Sequence, residues 1–586
     1  MKVGRGQREE ERDPPALASL GAGTGTSLRR SVRIRAENLT RRVRTGATVL
    51  HDVSLSIEPG EVVGIVGGSG TGKTTLLEAL AGVQAAEAGA VWFDGVEISG
   101  SIEAWRQVLG YVPQDDIIHA DLPLARTLRY AAGLRLPSGT SPQEIEQAVT
   151  EALRALDLQE RADVPVGSLS GGQRKRASIA VELLTHPRAF FLDEPTSGLD
   201  PATGAELLRV LRRLAAAGAT IVFTTHAPQD ISACDRIVFL AKGGHLAFLG
   251  TPAEAIAYFD VPSVERIYER LAAEESPEAW AARFRDRRAV AAGANSPASA
   301  EPAAPLGPRP GPAAQWWVLT RRTFETLVRN RLTLAILVGS PVMVVAMFTI
   351  LFRPGAFDPR RPEPSAILMI LFWITFAAFF FGLTYGLLQI VTERAILRRE
   401  HLGGVGLGPY LLSKVAVLLP FLLAVNVLML LVLRALDRLP ADSLRTYLSV
   451  GGTLALLATA ALALGLLTSA GVANPSQATL ALPLLSFPAV LFSGAILPVH
   501  IMAGVGKAIS LVIPVRWAFE AVGRALGVRE LLMEGGSPLG PPLVASYGAA
   551  GLQPIGVYWA ILAGFIVAFL VGARLLLQRT ATAKTR

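Results

Sequence analysis

Six stretches of about 20 apolar residues occupy the second half of this 586-residue chain. A helix of about 20 residues crosses the roughly 30 Å hydrocarbon core of a lipid bilayer. Six such stretches are too many for the buried helices of a soluble protein of this size. We therefore predict an all-α membrane domain of six transmembrane helices over residues 332–586. The predicted spans are residues 332–352, 366–390, 409–433, 447–469, 478–497 and 556–577.

The first half of the chain follows a different pattern, in which short apolar runs alternate with helical stretches. Examples of the runs are VVGIV at 62–66, AFFLD at 189–193 and TIVFTTH at 220–226. This alternation is typical of a parallel sheet whose strands are joined by crossover helices. The sequence therefore predicts an α/β domain over residues 31–260.

Three further segments flank or separate the two predicted domains. Residues 1–30 are rich in charge and glycine with almost no apolar periodicity, which predicts a disordered tail. Residues 261–314 predict a linker that is partly helical and then rich in Ala and Pro. Residues 315–331 mix aromatic residues with arginines, the composition of an amphipathic helix that lies along a membrane surface.

The composition excludes several classes of function. The net charge of +8 is spread along the chain and no basic stripe alternates with aromatic residues, so we expect no nucleic-acid partner. The single cysteine, Cys234, excludes an internal disulfide and a cysteine-cluster metal site, and we expect it to be buried. The N-terminal residues show no apolar segment typical of a signal peptide. We therefore expect a multi-pass protein of the inner (cytoplasmic) cell membrane whose first domain stays in the cytoplasm.

A glycine-rich run follows the VVGIV strand and precedes the helical sequence LLEALAG. Glycines let backbone N–H groups turn inward, where together with a helix N-terminus they surround phosphate groups. We expect Lys73 to reach the β and γ oxygens and the hydroxyl of Thr74 to bind Mg²⁺. The run therefore predicts ATP and Mg²⁺ as cofactors, bound by Gly67, Gly68, Ser69, Gly70, Thr71, Gly72, Lys73, Thr74 and Thr75.

Two acidic residues, Asp193 and Glu194, end another apolar run. Burial of unpaired carboxylates is costly, so a neighbouring metal and phosphate site explains their position. We expect Asp193 to hold Mg²⁺ and Glu194 to orient and polarise an attacking water.

A third motif carries a family resemblance. Residues 169–173 read LSGGQ, the signature of ATP-binding-cassette (ABC) proteins, and the chain resembles this superfamily over about 230 residues. The other family motifs follow in the family's order: Gln114 in YVPQDD, the segment SGLD at 197–200, and His226 in TTH. The resemblance implies a P-loop ATPase with catalytic residues Glu194, His226 and Gln114, and a magnesium site made by Thr74, Gln114 and Asp193.

The resemblance also implies that the protein acts as a dimer. In the family, each ATP lies between the phosphate loop of one subunit and the signature motif of the other. The nucleotide contacts implied outside the phosphate loop are Asp193, Ser170, Gly171, Gly172, Gln173 and Asp200. The chain departs from the family at Val43, where an aromatic residue commonly stacks on adenine. What contacts adenine is therefore open.

The order of ATPase first and membrane domain second resembles the half-transporters of the G subfamily ("White"), whose membrane domain is of the type-2 ABC permease class. Local similarities lie at 250–259 (GTPAEAIAYF), 392–400 (TERAILRRE) and 514–521 (PVRWAFEA). By this resemblance, residues 392–403 form a cytoplasmic coupling helix near Gln114, although an ordinary positively charged loop is the alternative.

Several membrane residues allow two interpretations. Phe372, Phe376 and Phe379 share a helical face that either packs in protein or lipid, or lines an aromatic cavity. Gly382 and Gly386 permit close helix contact, for which a contact within the bundle is favoured over one that specifies a dimer. Asn426 lies in the middle of a span, where an interhelical hydrogen bond is favoured over substrate binding.

The leading hypothesis is a dimeric ATPase that exports or translocates a hydrophobic or amphipathic substrate such as a lipid, a glycolipid or a drug-like molecule. A membrane signalling or mechanical device without solute transport is the alternative, and a soluble-type ABC ATPase acting on DNA or ribosomes is disfavoured by the six apolar spans. Because all the ATP motifs are intact, a homodimer is favoured over a heterodimer.

Overall fold

The computed structural model describes residues 31–43, 46–98, 105, 108–273, 276–291, 307–548 and 550–582. The chain divides into two compact units, an N-terminal unit that ends at Pro310 and a C-terminal unit that begins at Gly311. The predicted disordered tail lies outside the described residues, as does part of the predicted linker.

The N-terminal unit contains one ten-stranded sheet with the strand order β5-β4-β1-β2-β10-β9-β3-β8-β7-β6. Strands β9, β3, β8, β7 and β6 are parallel neighbours, whereas β1, β2, β4 and β5 pair antiparallel. The strand bounds are β1 Ile34–Arg42, β2 Thr48–Ile57, β3 Val62–Val66, β4 Ala88–Phe93, β5 Val96–Glu97, β6 Leu109–Val112, β7 Ala189–Leu192, β8 Thr220–Thr225, β9 Arg236–Ala241 and β10 His245–Gly250.

Helices connect these strands, and four of them begin at a residue whose side chain caps the helix, namely Ser141, Ser170, Asp200 and Thr251. Ser141 precedes Pro142 and forms a capping box with Glu144, which fixes the start of one helix. Two of the helices, α7 and α8, lie in the segment predicted as a partly helical linker. The helix bounds are α1 Lys73–Leu80, α2 Leu124–Arg135, α3 Pro142–Ala155, α4 Gly171–Leu183, α5 Pro201–Ala216, α6 Pro252–Phe259, α7 Val264–Ala273 and α8 Pro277–Ala291.

The centre of the sheet explains the continuous apolar runs of the sequence. Every residue of β3, β7 and β8 is buried, because helices cover both faces of a parallel sheet. Parallel strands also end at the same edge, so the loops that follow β3, β8, β7 and β6 lie side by side. The predicted α/β fold of this unit is confirmed.

The C-terminal unit is helical. It begins with the predicted surface helix, on which Leu319 and Arg322 are buried while Trp317 and Phe324 are exposed. The helix bounds are α9 Pro312–Arg329, α10 Arg331–Leu351, α11 Pro364–Leu387, α12 Arg394–Leu402, α13 Leu407–Ala435, α14 Leu444–Gly471, α15 Pro475–Leu491, α16 Gly504–Leu511, α17 Pro514–Ala525, α18 Val528–Glu534, α19 Gly540–Tyr547 and α20 Ile555–Thr582.

Four of the six predicted spans form helices that are long and apolar enough to cross a membrane, namely α11, α13, α14 and α20. The predicted span at 478–497 corresponds to α15, which has 17 residues and contains Pro483 and Pro488. At 1.5 Å per residue, α15 is only about 25 Å long. The predicted span at 332–352 corresponds to α10, which contains Pro341. Six crossings therefore stay a prediction.

Glycines bring α11 and α14 into backbone contact inside the C-terminal unit. A Cβ atom on Gly386 would lie 2.6 Å from Leu462 O and 2.9 Å from the Cα of Gly465. A Cβ atom on Gly382 would overlap the carbonyl oxygen of Ala458. The predicted close helix contact within the bundle is thus confirmed, and it depends on the lack of a side chain at these positions.

The other predicted membrane features have separate outcomes. Phe372 and Phe379 are buried and Phe376 is half-buried, so this face packs largely within the unit. The ring centroids of Phe372 and Phe376 are 5.8 Å apart.

Asn426 is also buried, but its Nδ2 has no hydrogen-bond partner among the described residues. The expected interhelical bond from this nitrogen is therefore absent there.

The segment predicted as a coupling helix forms α12, and buried ion pairs fix both of its ends. Arg322 on α9 makes a bidentate ion pair with Glu400 on α12, with Nη2 to Oε2 at 2.9 Å. Glu393, just before α12, accepts a hydrogen bond from Lys414 Nζ on α13 at 2.6 Å and one from Tyr410 at 3.1 Å. These contacts tie α12 to two other helices of the C-terminal unit.

The glycine contact between α11 and α14 predicts that a single methyl group added at this contact lowers the free energy of unfolding. We expect Gly386→Ala to lower the free energy of unfolding by about 1–3 kcal/mol, because the new Cβ would force the helices apart. Gly564→Ala on α20 is the matched control, since a Cβ there meets no atom within 4 Å. Thermal unfolding of the purified protein in detergent measures both, and equal midpoints for the two variants would contradict the prediction.

Candidate functional site

The loops after four adjacent parallel strands form the site. The strand order β3-β8-β7-β6 places the glycine-rich run after β3, His226 after β8, Glu194 after β7 and Gln114 after β6. These residues are far apart in sequence, and the common edge of the sheet brings them together. The structure therefore gathers the predicted catalytic residues in one place.

Asp193 is the buried hub of this edge. Its Oδ1 accepts hydrogen bonds from Thr74 Oγ1 at 3.0 Å and from Thr224 Oγ1 at 2.6 Å. The backbone N–H of Glu194 donates to the same Thr224 oxygen at 2.8 Å. Thr224 thus fixes both acidic residues, although the sequence analysis did not select it. Its signal was a polar residue inside the buried strand that precedes His226.

The carboxylate of Glu194 lies between two other predicted catalytic residues. Gln114 Nε2 donates to Oε2 at 3.3 Å, and His226 Nδ1 lies 3.3 Å from Oε1. The backbone of Glu194 has φ = 44°, a left-handed conformation that costs about 1–3 kcal/mol for a non-glycine residue. The bond from its N–H to Thr224 stabilises this conformation, in which the carboxylate reaches Gln114 and His226.

The glycine-rich run curls around the side chain of Lys73. Lys73 Nζ donates to Gly67 O at 3.0 Å and to Gly68 O at 2.8 Å. Gly72 has φ = 91° and stands before the first turn of α1, which has no side-chain cap. The N–H groups of that turn are therefore available to an acceptor, the arrangement that binds phosphate at helix N-termini.

The surroundings of Lys73 fit an anionic ligand. Lys73 is buried, and among the described residues it forms hydrogen bonds to neutral carbonyl groups and no ion pair. Burial lowers the pKa of Lys73, and the nearby carboxylates of Glu194 and Asp193 partly offset this effect. A phosphate group placed here would supply the missing negative charge. The oxygens of Thr74 and Asp193 are hard ligands of the kind that Mg²⁺ prefers.

The signature residues lie elsewhere in the N-terminal unit, at the start of α4. Ser170 caps this helix and forms a capping box with Gln173. Ser170 and Gly171 are exposed, whereas a Cβ on Gly172 would overlap the side chain of Thr203. In the part of the chain that the structure describes, no hydrogen bond joins these residues to the glycine-rich run.

Two more polar residues have definite positions. Asp200 caps α5 by accepting from the N–H groups of Ala202 at 3.1 Å and Thr203 at 3.0 Å. Lys175 is buried, and its Nζ donates to Gln114 O at 2.6 Å. Lys175 therefore fixes the backbone of the Gln114 loop against α4, a contact that the sequence analysis missed.

Val43 and Cys234, which the sequence also singled out, lie away from the site around Glu194. Val43 is exposed, and its N–H donates to Ala47 O at 2.9 Å in a turn before β2. Cys234 is buried, as predicted, and burial raises the pKa of its thiol to about 12. Neither residue contributes a contact to the Glu194 site.

Comparison with known protein families yields two matches along the chain. The family described as ABC transporter matches residues 50–197, and the family described as ABC-2 type transporter matches residues 314–525. The first match contains the glycine-rich run, Gln114, the signature and Glu194. The second contains the helices from α9 to α17.

Individual relatives match different shares of the chain. The chain is 32% identical to the "ABC transporter ATP-binding/permease protein Rv1747" of Mycobacterium tuberculosis, over 81% of this chain and 55% of that protein. It is 36% identical to "ABC transporter G family member 22" of Arabidopsis thaliana, over 36% of this chain and 29% of the relative. The chain therefore spans about half or less of the length of these relatives.

A similar solved structure is cbiO1 from Clostridium perfringens, part of the ABC transporter complex cbiONQ, with a TM-score of 0.36 and 30% identity. The alignment covers 38% of this chain and 90% of that chain. The two family matches occur in order along one chain, and the C-terminal unit contains several helices able to cross a membrane. The chain therefore belongs to the ABC transporters, as a multi-pass membrane protein with a cytoplasmic N-terminal ATPase domain followed by an ABC-2 type permease domain.

Proposed function

We propose that this protein binds and hydrolyses Mg·ATP at the Glu194 site and, as a dimer, uses the reaction to translocate a hydrophobic or amphipathic substrate across the membrane. One observation carries the proposal. The carboxylate of Glu194 lies between Gln114 and His226, next to the bonded pair of Asp193 and Thr74. This arrangement combines a base, its positioning groups and a set of metal ligands at one edge.

In the proposed complex, the phosphate groups lie against the N–H groups at the start of α1, with Lys73 as their cation. Thr74, Asp193 and Gln114 would hold Mg²⁺, which neutralises charge on the phosphate oxygens when it is bound. Because Lys73 already points into its loop, little reorganisation is needed when an anion binds. Such preorganised donors are a large source of rate enhancement in phosphoryl transfer.

Glu194 would act as the general base that accepts a proton from the attacking water. In the structure Oε2 is contacted by Gln114 and Oε1 by His226. Each carboxylate oxygen has two lone pairs, so Glu194 can accept a proton from water while Gln114 and His226 hold its orientation.

The dimer is supported by the position of the signature residues. Ser170 and Gly171 are exposed at the N-terminus of α4, and Gln173 is tied to Ser170 by their capping box. An exposed helix N-terminus with a rigid cap is suited to contact the nucleotide of a partner subunit. A second copy of this chain is the partner that we favour, because every ATP motif is present.

The coupling of ATP to transport is proposed to pass through α12. The Arg322–Glu400 and Lys414–Glu393 ion pairs are buried, and breaking a buried ion pair is costly. A displacement of α12 would therefore move α9 and α13 with it. Substrate translocation would follow from the motion of these helices in the membrane.

The Glu194→Gln variant tests the proposed reaction. We expect ATP hydrolysis in liposomes to fall by about 10²–10⁴-fold, because the amide cannot accept the proton, while nucleotide binding is retained. Glu160→Gln is the matched control, since Glu160 is an exposed residue of the same domain. Hydrolysis is measured as phosphate release, with a panel of lipids and drug-like amphiphiles.

The same assay separates the two functional hypotheses. Stimulation of wild-type hydrolysis by a particular lipid or amphiphile, together with loss in Glu194→Gln, supports substrate transport. Hydrolysis that no compound changes would favour a mechanical or signalling device. Equal hydrolysis by the wild type and Glu194→Gln would overturn the role of Glu194.

Thr224→Val tests whether Thr224 fixes the two acidic residues. The isosteric valine removes the donor to Asp193 and the acceptor for the Glu194 N–H, and each unsatisfied buried group costs about 1–3 kcal/mol. We expect the rate of ATP hydrolysis to fall at least about tenfold, which corresponds to about 1.4 kcal/mol. The control is Thr127→Val, a buried threonine on α2 whose hydroxyl, among the described residues, donates to Pro123 O in its own helix turn. Similar rates for both variants would refute this role.

A further inference from the structure

Two stacked histidines join the halves of the sheet in the N-terminal unit. His51 on β2 and His245 on β10 form the register of the parallel β2–β10 pair. Their ring centroids are 4.3 Å apart, and the rings are inclined by 9°. The pair therefore lies where the antiparallel strands of the sheet meet the strands that carry the ATP site.

The backbone around the pair is closely packed. The N–H of His51 donates to Gly244 O at 3.2 Å, and His51 Nδ1 lies 2.7 Å from Gly243 O. A carbonyl oxygen only accepts, so the Nδ1 atom carries the hydrogen of this bond. A Cβ atom on Gly244 would overlap the carbonyl of Val49. The turn before β10 and the strand β2 therefore cannot shift independently.

The same part of β2 touches the phosphate loop. A Cβ atom on Gly72 would lie 2.6 Å from Val49 O and 3.3 Å from Leu50 Cδ2. Gly72 stands directly before Lys73 and before the N–H groups at the start of α1. Val49 and Leu50 are thus the link between His51 and the residues that are proposed to hold the phosphates.

Charged groups from α8 face the pair. Glu278 Oε1 lies 3.5 Å from His245 Nε2, and Arg285 pairs with Asp52 at 3.2 Å. Burial lowers the pKa of His245, His51 and Arg285 lower it further, and Glu278 opposes them. In the described part of the chain, Glu278 is the carboxylate in contact with His245, whereas the carboxylate of Asp52, next to His51, pairs with Arg285. A proton on His245 would therefore place a cation inside the stack with one carboxylate to compensate it.

We propose that His51 and His245 are positioning residues for ATP binding. The neutral stacked pair holds β2 against Gly72, and protonation of His245 separates the rings, loosens that contact and weakens the binding of nucleotide. The inference rests on the proposed ATP site. Because the pKa of His245 is lowered, the stacked state is complete above the ordinary histidine pKa and is lost as the pH falls below it.

The test is equilibrium binding of a fluorescent ATP analogue to the full-length protein in detergent, at about pH 8 and about pH 5.5, on either side of the ordinary histidine pKa. His245→Phe keeps a stacked ring without a charge, and His51→Asn keeps a donor for Gly243 O. His186→Asn is the control, because His186 is a half-exposed histidine of the same unit beside Glu151, and its φ of 47° suits asparagine.

We expect the wild type and His186→Asn to lose about tenfold in affinity between the two pH values, the effect of a one-unit difference in pKa between the free and bound states. His245→Phe and His51→Asn are expected to lose about twofold, from titration of the nucleotide and of other groups. Hydrogen exchange of the β2 amides, corrected for its intrinsic pH dependence, is expected to report the same loosening in the wild type and in His186→Asn, and not in His245→Phe or His51→Asn.

Two results would overturn the proposal. One is an equal pH dependence of affinity in the wild type, His245→Phe and His51→Asn, and the other is an unchanged protection of the wild-type β2 amides from hydrogen exchange at low pH. Failure of the ATP assignment itself is distinguishable, because then no variant would bind the analogue at either pH. Thermal midpoints at about pH 8 show whether a variant is folded before binding is compared.

Discussion

The hydrogen bonds that Asp193 accepts at the carboxyl edge of the sheet are the interaction on which the site depends. Through Thr74, Asp193 fixes the start of α1 and the end of the phosphate loop. Through Thr224, it fixes the backbone of Glu194, whose φ of 44° would otherwise be unfavourable. Two hydrogen bonds to one oxygen of this buried carboxylate stabilise it and fix the positions of Thr74 and Thr224 around it.

Around this hub, contacts from more distant elements control the loops. Lys175 on α4 bonds the backbone at Gln114, so the signature helix and the Gln114 loop move together. Gly72 packs against Val49 of β2, which connects the phosphate loop to the histidine pair. The proposed catalytic groups are therefore supported by backbone contacts from several directions. Positioning of this kind is what phosphoryl transfer requires.

The C-terminal unit is held by a different balance of forces. In a membrane, apolar side chains gain little by leaving lipid, so helices associate through close packing and polar contacts. The contact of Gly386 with α14 is of the first kind, and the Arg322–Glu400 pair is of the second. Asn426 lacks a partner for Nδ2 among the described residues, and one turn away on its helix lie Leu422 and Leu430, both apolar.

Local sequence determined the chemistry of the site. Three motifs could be recognised in the sequence because their chemistry requires particular residue types at fixed spacing. They are the run from Gly67 to Thr74, the pair Asp193 and Glu194, and the signature at Ser170. The α/β character of the first half and the membrane character of the second followed from apolar periodicity in the same way. Hydropathy did not decide whether α15 crosses the membrane, because this helix has 17 residues and contains Pro483 and Pro488.

Only the tertiary structure decided how these pieces meet. Strand order, which no local pattern encodes, placed Gln114, Glu194 and His226 side by side. The tertiary structure also identified Thr224, Lys175 and the stacked pair of His51 and His245, which belong to no recognisable motif in the sequence. Their roles come from partners that are distant along the chain, up to 194 residues apart for the two histidines. Local propensity acts over a few residues, whereas such contacts form only when the sheet closes.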